Sequence, residues 1–192
     1  VVVVSLKKKG RVLDQVAADG SAEDTFVFFM SDNGAFRLGR EGLDVGSNHP
    51  LRAGGVTCFE GGLRVAALAR WPGRIPPGSV VDSPCWSPDL FVTLAAIAGA
   101  QLPAGVALDG KDISGLLCDQ SPSPHEQFCF EYESHAALRH GNWKIVRESP
   151  HEPWQLYDLA LDVAEEHDVA ASHADMVSDL ARRFNRWQQE TQ

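Results

Sequence analysis

The sequence has no apolar run near the ~20 residues needed to cross a bilayer. It has no CxxC pair and no Cys and His at zinc spacing. Its four cysteines, Cys58, Cys85, Cys118 and Cys129, lie far apart. They read as free thiols, buried or partly exposed; a disulfide stays open, but a chain of 192 residues does not need one to hold a core. Positive charge is also short, with 17 Lys and Arg against 26 Asp and Glu and a net charge of −9. That balance excludes general binding to nucleic acid or to an anionic membrane. An initiator Met is missing too. The chain opens on Val1-Val2-Val3-Val4, with Lys7-Lys8-Lys9 after it, the reverse of a signal peptide's basic-then-apolar order. This start leads us to expect a piece of something larger. What is present is globular in composition, 44% hydrophobic and 22% charged, enough for one domain or one domain with a small appendage.

Val12, Leu13 and Val16 sit at helical spacing, with Gly20 as the stop. Thr25–Met30 is a continuous run of strand formers, expected to be buried on both faces in a parallel sheet under helices. It ends at Ser31-Asp32-Asn33-Gly34. Residues 34–62 hold eight glycines and read as a long loop, a length that is usually functional. Leu63–Trp71 reads as a second buried strand. Ser87-Pro88-Asp89 is a helix start, with Ser as N-cap, Pro at the first position and an acid in the first turn; the helix runs through Leu90, Leu94 and Ile97 to Gly99. After residue 124 the texture changes. Phe128–Tyr132, Ala136–Arg139, Trp143–Arg147 and Gln155–Leu159 are short strands of an antiparallel sheet, with His140-Gly141-Asn142 as a hairpin turn. Met176, Leu180, Phe184 and Trp187 form a helical core stripe, and Ser172 with Asp175 a capping box. The fold expected is an α/β part over 1–124 followed by a small antiparallel α+β subdomain over 125–192.

Asp32-Asn33 is the sharpest local feature. Two hard oxygen donors stand at the C-terminal end of a buried strand, the edge where ligands bind in open α/β sheets, with a glycine that lets the backbone turn. A plain Asx turn explains the same residues. In Leu51–Arg64 the paired Gly54-Gly55 and Gly61-Gly62 allow close backbone approach and can cradle an oxyanion, with Arg52 and Arg64 as charge; ordinary structural turns explain it equally well. Glu60 reads first as a partner for turn amides and second as a general acid. His125, His135, His140, His151, His167 and His173 are scattered, without metal spacing.

Taken together, these segments resemble the sulfatase family, arylsulfatases in particular. Phe28-Phe29-Met30-Ser31-Asp32-Asn33-Gly34 is similar to the family's strand ending in S-D-N-G. Gly46-Ser47-Asn48-His49-Pro50-Leu51-Arg52 is similar to its G-S-N-G-P-L-R, Phe59–Val65 to its E-G-G-x-R-x-P, and Arg70-Trp71-Pro72-Gly73 to its R-W-P-G. Asp89–Leu94 resembles its D-L-x-P-T-L helix and Leu108-Asp109-Gly110 its D-G segment. Gly141-Asn142-Trp143-Lys144 and Leu156-Tyr157-Asp158-Leu159 resemble its C-terminal subdomain. The resemblance implies the C-terminal part of an alkaline-phosphatase-like α/β sandwich, with a mostly parallel sheet, and the C-terminal portion of a sulfuric ester hydrolase acting on a sulfate-ester small molecule or sulfated carbohydrate. It further implies one divalent cation, usually Ca²⁺ (Mg²⁺ is possible), held in part by Asp32 and Asn33, and a secreted, periplasmic or lysosomal location. Two donors do not fill the ~6–8 oxygen positions of Ca²⁺, so the remaining ligands are expected upstream.

The chain departs from the family pattern in two places. The family nucleophile is a formylglycine made from a C-x-P/A-x-R motif, and no Cys here lies in one: Cys85 is followed by Trp86-Ser87-Pro88-Asp89. The nucleophile is expected upstream and the fragment is expected to be inactive alone. Second, the sulfate-binding Lys of R-x-G-K is Gly55 here; His49 or Arg52 is the expected substitute, with pinning of loop carbonyls an equal reading for Arg52. A phosphodiesterase or phosphonate hydrolase of the same superfamily and a non-catalytic binding module are the alternatives.

Overall fold

The computed structural model describes residues 10–36 and 46–191. The tetra-valine opening and residues 37–45 of the long glycine-rich loop lie outside the described residues. In chain order the elements are α1 (Gly10–Ala18), β1 (Val27–Met30), α2 (Glu60–Leu63), β2 (Ala67–Arg70), α3 (Asp89–Ile97), α4 (Ser114–Asp119), β3 (Gln127–Tyr132), β4 (His135–His140), β5 (Trp143–Arg147), β6 (Gln155–Asp158) and α5 (Ala174–Thr191). Backbone proximity groups them into two compact units. One takes the described residues up to Met30 with Ala66–His125; the other takes the described part of Ser31–Val65 with Glu126 onward. This grouping differs from a cut at 124/125, because residues 31–65 pack with the C-terminal elements.

In the first unit β1 and β2 form a two-stranded antiparallel pair, Val27 opposite Arg70 and Met30 opposite Ala67. Thr25–Met30 is expected in a parallel sheet, and the partner strand it has among the described residues, β2, runs antiparallel. A continuous apolar run reports burial, not strand direction, and here even burial is partial: β1 is half-buried throughout and Ala67 and Leu68 of β2 are exposed. The start of the expected second strand is instead the helical turn α2. Helix α3 ends as its sequence dictates, with Gly99 taking a left-handed φ of +66°. Its start is different: Pro88, not Ser87, occupies the cap. The inner face of α3 carries two buried polar side chains. Asp89 accepts the Trp86 and Lys111 amides at 3.1 and 2.8 Å and approaches His125 Nε2 at 2.7 Å. Thr93 Oγ1 accepts the Ile113 amide at 3.0 Å. These bonds tie the Asp109–Ile113 segment to the helix, and a Cβ on Gly110 would lie 2.1 Å from the Pro88 carbonyl oxygen, so only glycine fits there.

In the second unit β3–β6 form a four-stranded antiparallel meander in sequence order. The four strand expectations and the hairpin hold: His140 pairs with Trp143 across Gly141-Asn142, and Gly141 alone of the two has positive φ, the II′ pattern. Side chains alternate between two cores. Cys129, Ala136, Leu138, Ile145 and Leu156 face α5, which inserts Leu180 and Phe184 with Met176 and Trp187 alongside. Each such buried Leu or Phe contributes about 1.5–3 kcal/mol. Ala137, Val146 and Tyr157 face the other way and pack against Cys58 and Phe59 of the glycine-rich segment. Ser172 does not cap α5 through Asp175; its hydroxyl donates to the Val169 carbonyl at 2.9 Å. All four cysteines are free. Burial pushes the Cys58 thiol up to about 11 and the Cys129 thiol up to about 12, so both are unreactive at neutral pH.

Candidate functional site

The four residues singled out from the sequence, Asp32, Asn33, His49 and Arg52, all belong to the second unit. Asp32 and Asn33 stand in a local Asx arrangement. Asp32 Oδ1 accepts the Asn33 amide at 3.0 Å, Ser31 Oγ donates to the Asn33 carbonyl at 2.9 Å, and Asn33 Nδ2 donates to the Gly34 carbonyl at 3.1 Å. Asp32 is exposed. The backbone turns as an Asx motif does, and Asp32 Oδ2 and Asn33 Oδ1 take no hydrogen bond from the described residues. Two hard oxygens on one rigid turn suit Ca²⁺ or Mg²⁺. Among the described residues no three of His, Cys, Asp and Glu gather as a metal group.

This turn is knitted to the glycine-rich segment backbone to backbone. Gly34 N donates to the Gly62 carbonyl at 3.0 Å and Gly55 N to the Ala35 carbonyl at 3.2 Å. Asn48 closes the knot: its Oδ1 accepts the Ala35 amide at 2.8 Å, and its Nδ2 donates to the Ala35 and Ala53 carbonyls at 2.8 and 2.9 Å. The approach is close enough to require glycine. A Cβ at Gly34 would sit 1.7 Å from the Gly61 carbonyl oxygen, and one at Gly55 would sit 2.4 Å from Asn33 Nδ2. Position 55, where the family pattern has its Lys, is therefore closed down onto Asn33 here. Gly34→Ala must push the two backbones apart, at a cost of about 1–3 kcal/mol. The expected result is loss of hydrogen-exchange protection at the residue 34 amide while the β4 and β5 amides stay protected. Unchanged protection at residue 34 would show that the close approach is not obligatory.

His49 is exposed, follows Asn48 directly, and its amide donates to Ser47 Oγ at 3.2 Å. Arg52 faces inward. Its guanidinium stacks 3.9 Å from the centre of the Phe59 ring and donates to Tyr157 Oη at 2.8 Å and to the Glu165 carbonyl at 2.9 Å. The carbonyl-pinning role weighed for Arg52 is present in these bonds.

Sequence reasoning missed what lies beneath the segment. Arg139, Lys144 and Tyr157 are direct cross-strand neighbours on β4, β5 and β6, one transverse row on the face that meets Cys58 and Phe59. Lys144 is fully buried, with Nζ 3.0 Å from Glu60 Oε1 and 2.8 Å from Glu165 Oε1. Arg139 lies 3.9 Å from the other Glu60 oxygen. Glu60 was expected to satisfy turn amides; instead Glu165 does so, its Oε2 accepting the Glu60 amide at 2.6 Å. A lysine alternating with Val146 in a buried strand is the signal that a carboxylate must meet it.

Burial raises the Glu165 carboxyl above its usual 4.5, with Lys144 opposing the shift. A raised carboxyl favours folding while protonated, so its contribution is full below 4.5 and declines as pH rises through the folded value. The groups around Glu165 are Lys144, Glu60 and Arg52. The stability advantage of the parent chain over Glu165→Gln should therefore shrink between pH 4.5 and neutrality in urea titrations; an advantage that grows over that range contradicts the raised carboxyl.

Comparison with known proteins gives two matching family models. One, described as "Sulfatase", matches residues 10–100; the other, described as "N-sulphoglucosamine sulphohydrolase, C-terminal", matches residues 56–190. The chain is 35% identical to steryl-sulfatase of Rattus norvegicus, over 92% of this chain and 37% of that protein. It is 34% identical to arylsulfatase A of Homo sapiens, over 93% and 40%. The chain thus spans about two fifths of the length of these curated relatives. Among solved structures, Ps i-CgsB in complex with k-i-k-neocarrahexaose superposes with a TM-score of 0.84 at 30% identity, covering 95% of this chain and 40% of that one. The phosphonate monoester hydrolase SpPMH from Silicibacter pomeroyi shares the fold, with a TM-score of 0.72 at 23% identity over 96% and 38%.

Proposed function

The chain belongs to the sulfatase family, and from that premise we propose that it serves sulfate-ester hydrolysis by supplying two cation ligands and one wall of the substrate site. The observation that carries this reading is the rigid turn at Asp32-Asn33-Gly34, locked to the glycine-rich segment, with the Asp32 carboxylate exposed. Asp32 and Asn33 would hold Ca²⁺ or Mg²⁺ through side-chain oxygens. When bound, the cation neutralises sulfate oxygens and polarises the S–O bond.

The remaining residues of the chain bind and orient. With position 55 a glycine closed onto Asn33, cationic help for the sulfate falls to His49, which is exposed beside the Asn48 knot. Arg52 acts from below by holding the segment to Tyr157 and Glu165. The substrate class is a sulfate ester, with a sulfated carbohydrate favoured because a neighbour at 30% identity was solved with an oligosaccharide. No Cys of the sequence lies in a C-x-P/A-x-R motif, so the chain by itself is expected not to turn over.

The test has two arms. Calorimetry at millimolar CaCl₂ should show weak Ca²⁺ binding by the chain, which holds two of the ~6–8 oxygen ligands the ion takes, and its loss in Asp32→Ala; equal binding by both proteins removes Asp32 from the ligand set. An aryl sulfate incubated with the chain and Ca²⁺ should remain intact, and Ca²⁺-dependent release of the phenol would refute the absence of a nucleophile. An aryl phosphonate in the same assay addresses the superfamily alternative.

A further inference from the structure

The buried Lys144 cluster lies outside the residues that would touch a substrate or cation, and stability alone does not explain it. An ion pair taken out of water is often no more stabilising than apolar residues of the same volume. What it does specify is position. One ammonium between two carboxylates fixes where both Glu60 and Glu165 sit, and Glu165 in turn holds the Glu60 amide. Eight residues earlier, Arg52 is held by Tyr157 of the same transverse row. The segment is therefore fastened to the sheet at both ends.

From there the connection to the surface is short. The Arg52 carbonyl accepts the Gly61 amide at 2.8 Å, and the Gly62 carbonyl accepts the Gly34 amide at 3.0 Å. Gly34 and Gly61 approach so closely that a Cβ on Gly34 would overlap the Gly61 carbonyl oxygen, and Asn33 and Asp32 are the next two residues. A displacement of the 60–62 turn must carry the Asp32-Asn33 oxygens with it. Ca²⁺ takes its oxygens at about 2.3–2.6 Å, so a displacement that moves both oxygens out of that range lowers affinity.

We propose that the row Arg139–Lys144–Tyr157 is a positioning device that sets divalent-cation affinity at Asp32-Asn33 through Glu60, Gly62 and Gly34. This inference rests on the reading of Asp32 and Asn33 as cation ligands. It assigns part of the affinity to side chains that never touch the ion.

The test uses the ¹⁵N-labelled 192-residue chain, with CaCl₂ titrated and the Asn33 and Gly34 amide shifts followed by NMR. Glu60→Gln keeps the shape of the side chain but weakens its hold on Lys144. Tyr157→Phe keeps the packed ring but removes one of the two acceptors of Arg52, leaving the Glu165 carbonyl. Both are expected to weaken Ca²⁺ binding, Glu60→Gln by about 10-fold, the size of outer-shell effects on metal sites. The Gly34 amide should exchange faster in both, with the sheet amides of Val146 and Leu156 unchanged. A merely structural role would lower the unfolding midpoint without changing Ca²⁺ affinity among folded molecules. Parental affinity in both variants, with Asp32→Ala unable to bind, overturns the positioning role and leaves the ligand reading standing. No Ca²⁺-dependent shift in the parent chain, or the same shift in Asp32→Ala, overturns the ligand reading and this inference with it.

Discussion

Replacing Asp89 by Ala should destabilise the first unit by about 3 kcal/mol or more. The carboxylate is fully buried and meets three groups: the Trp86 amide, the Lys111 amide and the His125 ring. Each buried donor left without an acceptor costs about 1–3 kcal/mol, and the helix loses a negative charge in its first turn, about 0.3–1 kcal/mol more. Asp89→Asn keeps one acceptor oxygen and turns an NH₂ group toward the remaining donors, so an intermediate loss is expected. Hydrogen exchange at the α3 amides reads the effect where it arises. Protection in Asp89→Ala equal to the parent would show that water or a shifted backbone replaces the carboxylate. The prediction separates two roles for the same residue. As a first-turn acid Asp89 is worth tenths of a kilocalorie; as the tie between α3 and the 109–113 segment it is worth ten times that.

The elements were largely legible because their signals are local. The strand run Trp143–Arg147, buried on both faces from Lys144 to Val146, and the turn at Gly141-Asn142 are decided within a few residues of each other, and the structure has the expected meander there. The stripe Met176, Leu180, Phe184 and Trp187 likewise needs only one helix to be read. Strand direction was not legible. Thr25–Met30 and Leu63–Trp71 carry apolar runs that say how much is buried and nothing about which way the partner runs, and β1 and β2 pair antiparallel.

The site was legible only where its chemistry is written in adjacent residues. Asp32-Asn33-Gly34 shows its turn in three letters. The reason for the neighbouring glycines did not show, because the atoms they make room for come from residues 27 positions away, such as Gly61 against Gly34. Asn48 was visible as part of a motif but not as the acceptor and donor that binds Ala35. Glu165 carried no signal at all. It follows a turn in an acidic stretch that reads as solvated, and its partner amide lies 105 residues earlier. Arg52 was placed between two roles by its sequence, and three contacts made inside the unit decide what its guanidinium touches.

Lys144→Met should cost the second unit about 3–5 kcal/mol, because removing one member of a buried ion cluster leaves the others charged and unpaired. Glu60 and Glu165 would then face each other across a dry interior, Glu60 4% exposed and Glu165 not at all. Arg139, 3.9 Å from Glu60, compensates one carboxylate weakly and the other not. The methionine fills most of the vacated volume, so a cavity contributes little and the loss is electrostatic. That assignment can be checked directly. Adding Glu60→Gln and Glu165→Gln to Lys144→Met removes every buried carboxylate charge from the cluster and leaves only the partly exposed Arg139 guanidinium, and the triple variant should regain most of the lost stability even though it carries three substitutions. The readout is exchange protection at the β4 and β5 amides together with the urea midpoint. A triple variant less stable than Lys144→Met alone would mean that packing, and not charge, holds the glycine-rich segment on the sheet. Recovery of stability by the triple variant, without recovery of the Gly34 amide protection, would separate the two contributions of the cluster: the charges would be dispensable for folding and required for placing the turn that carries Asp32 and Asn33.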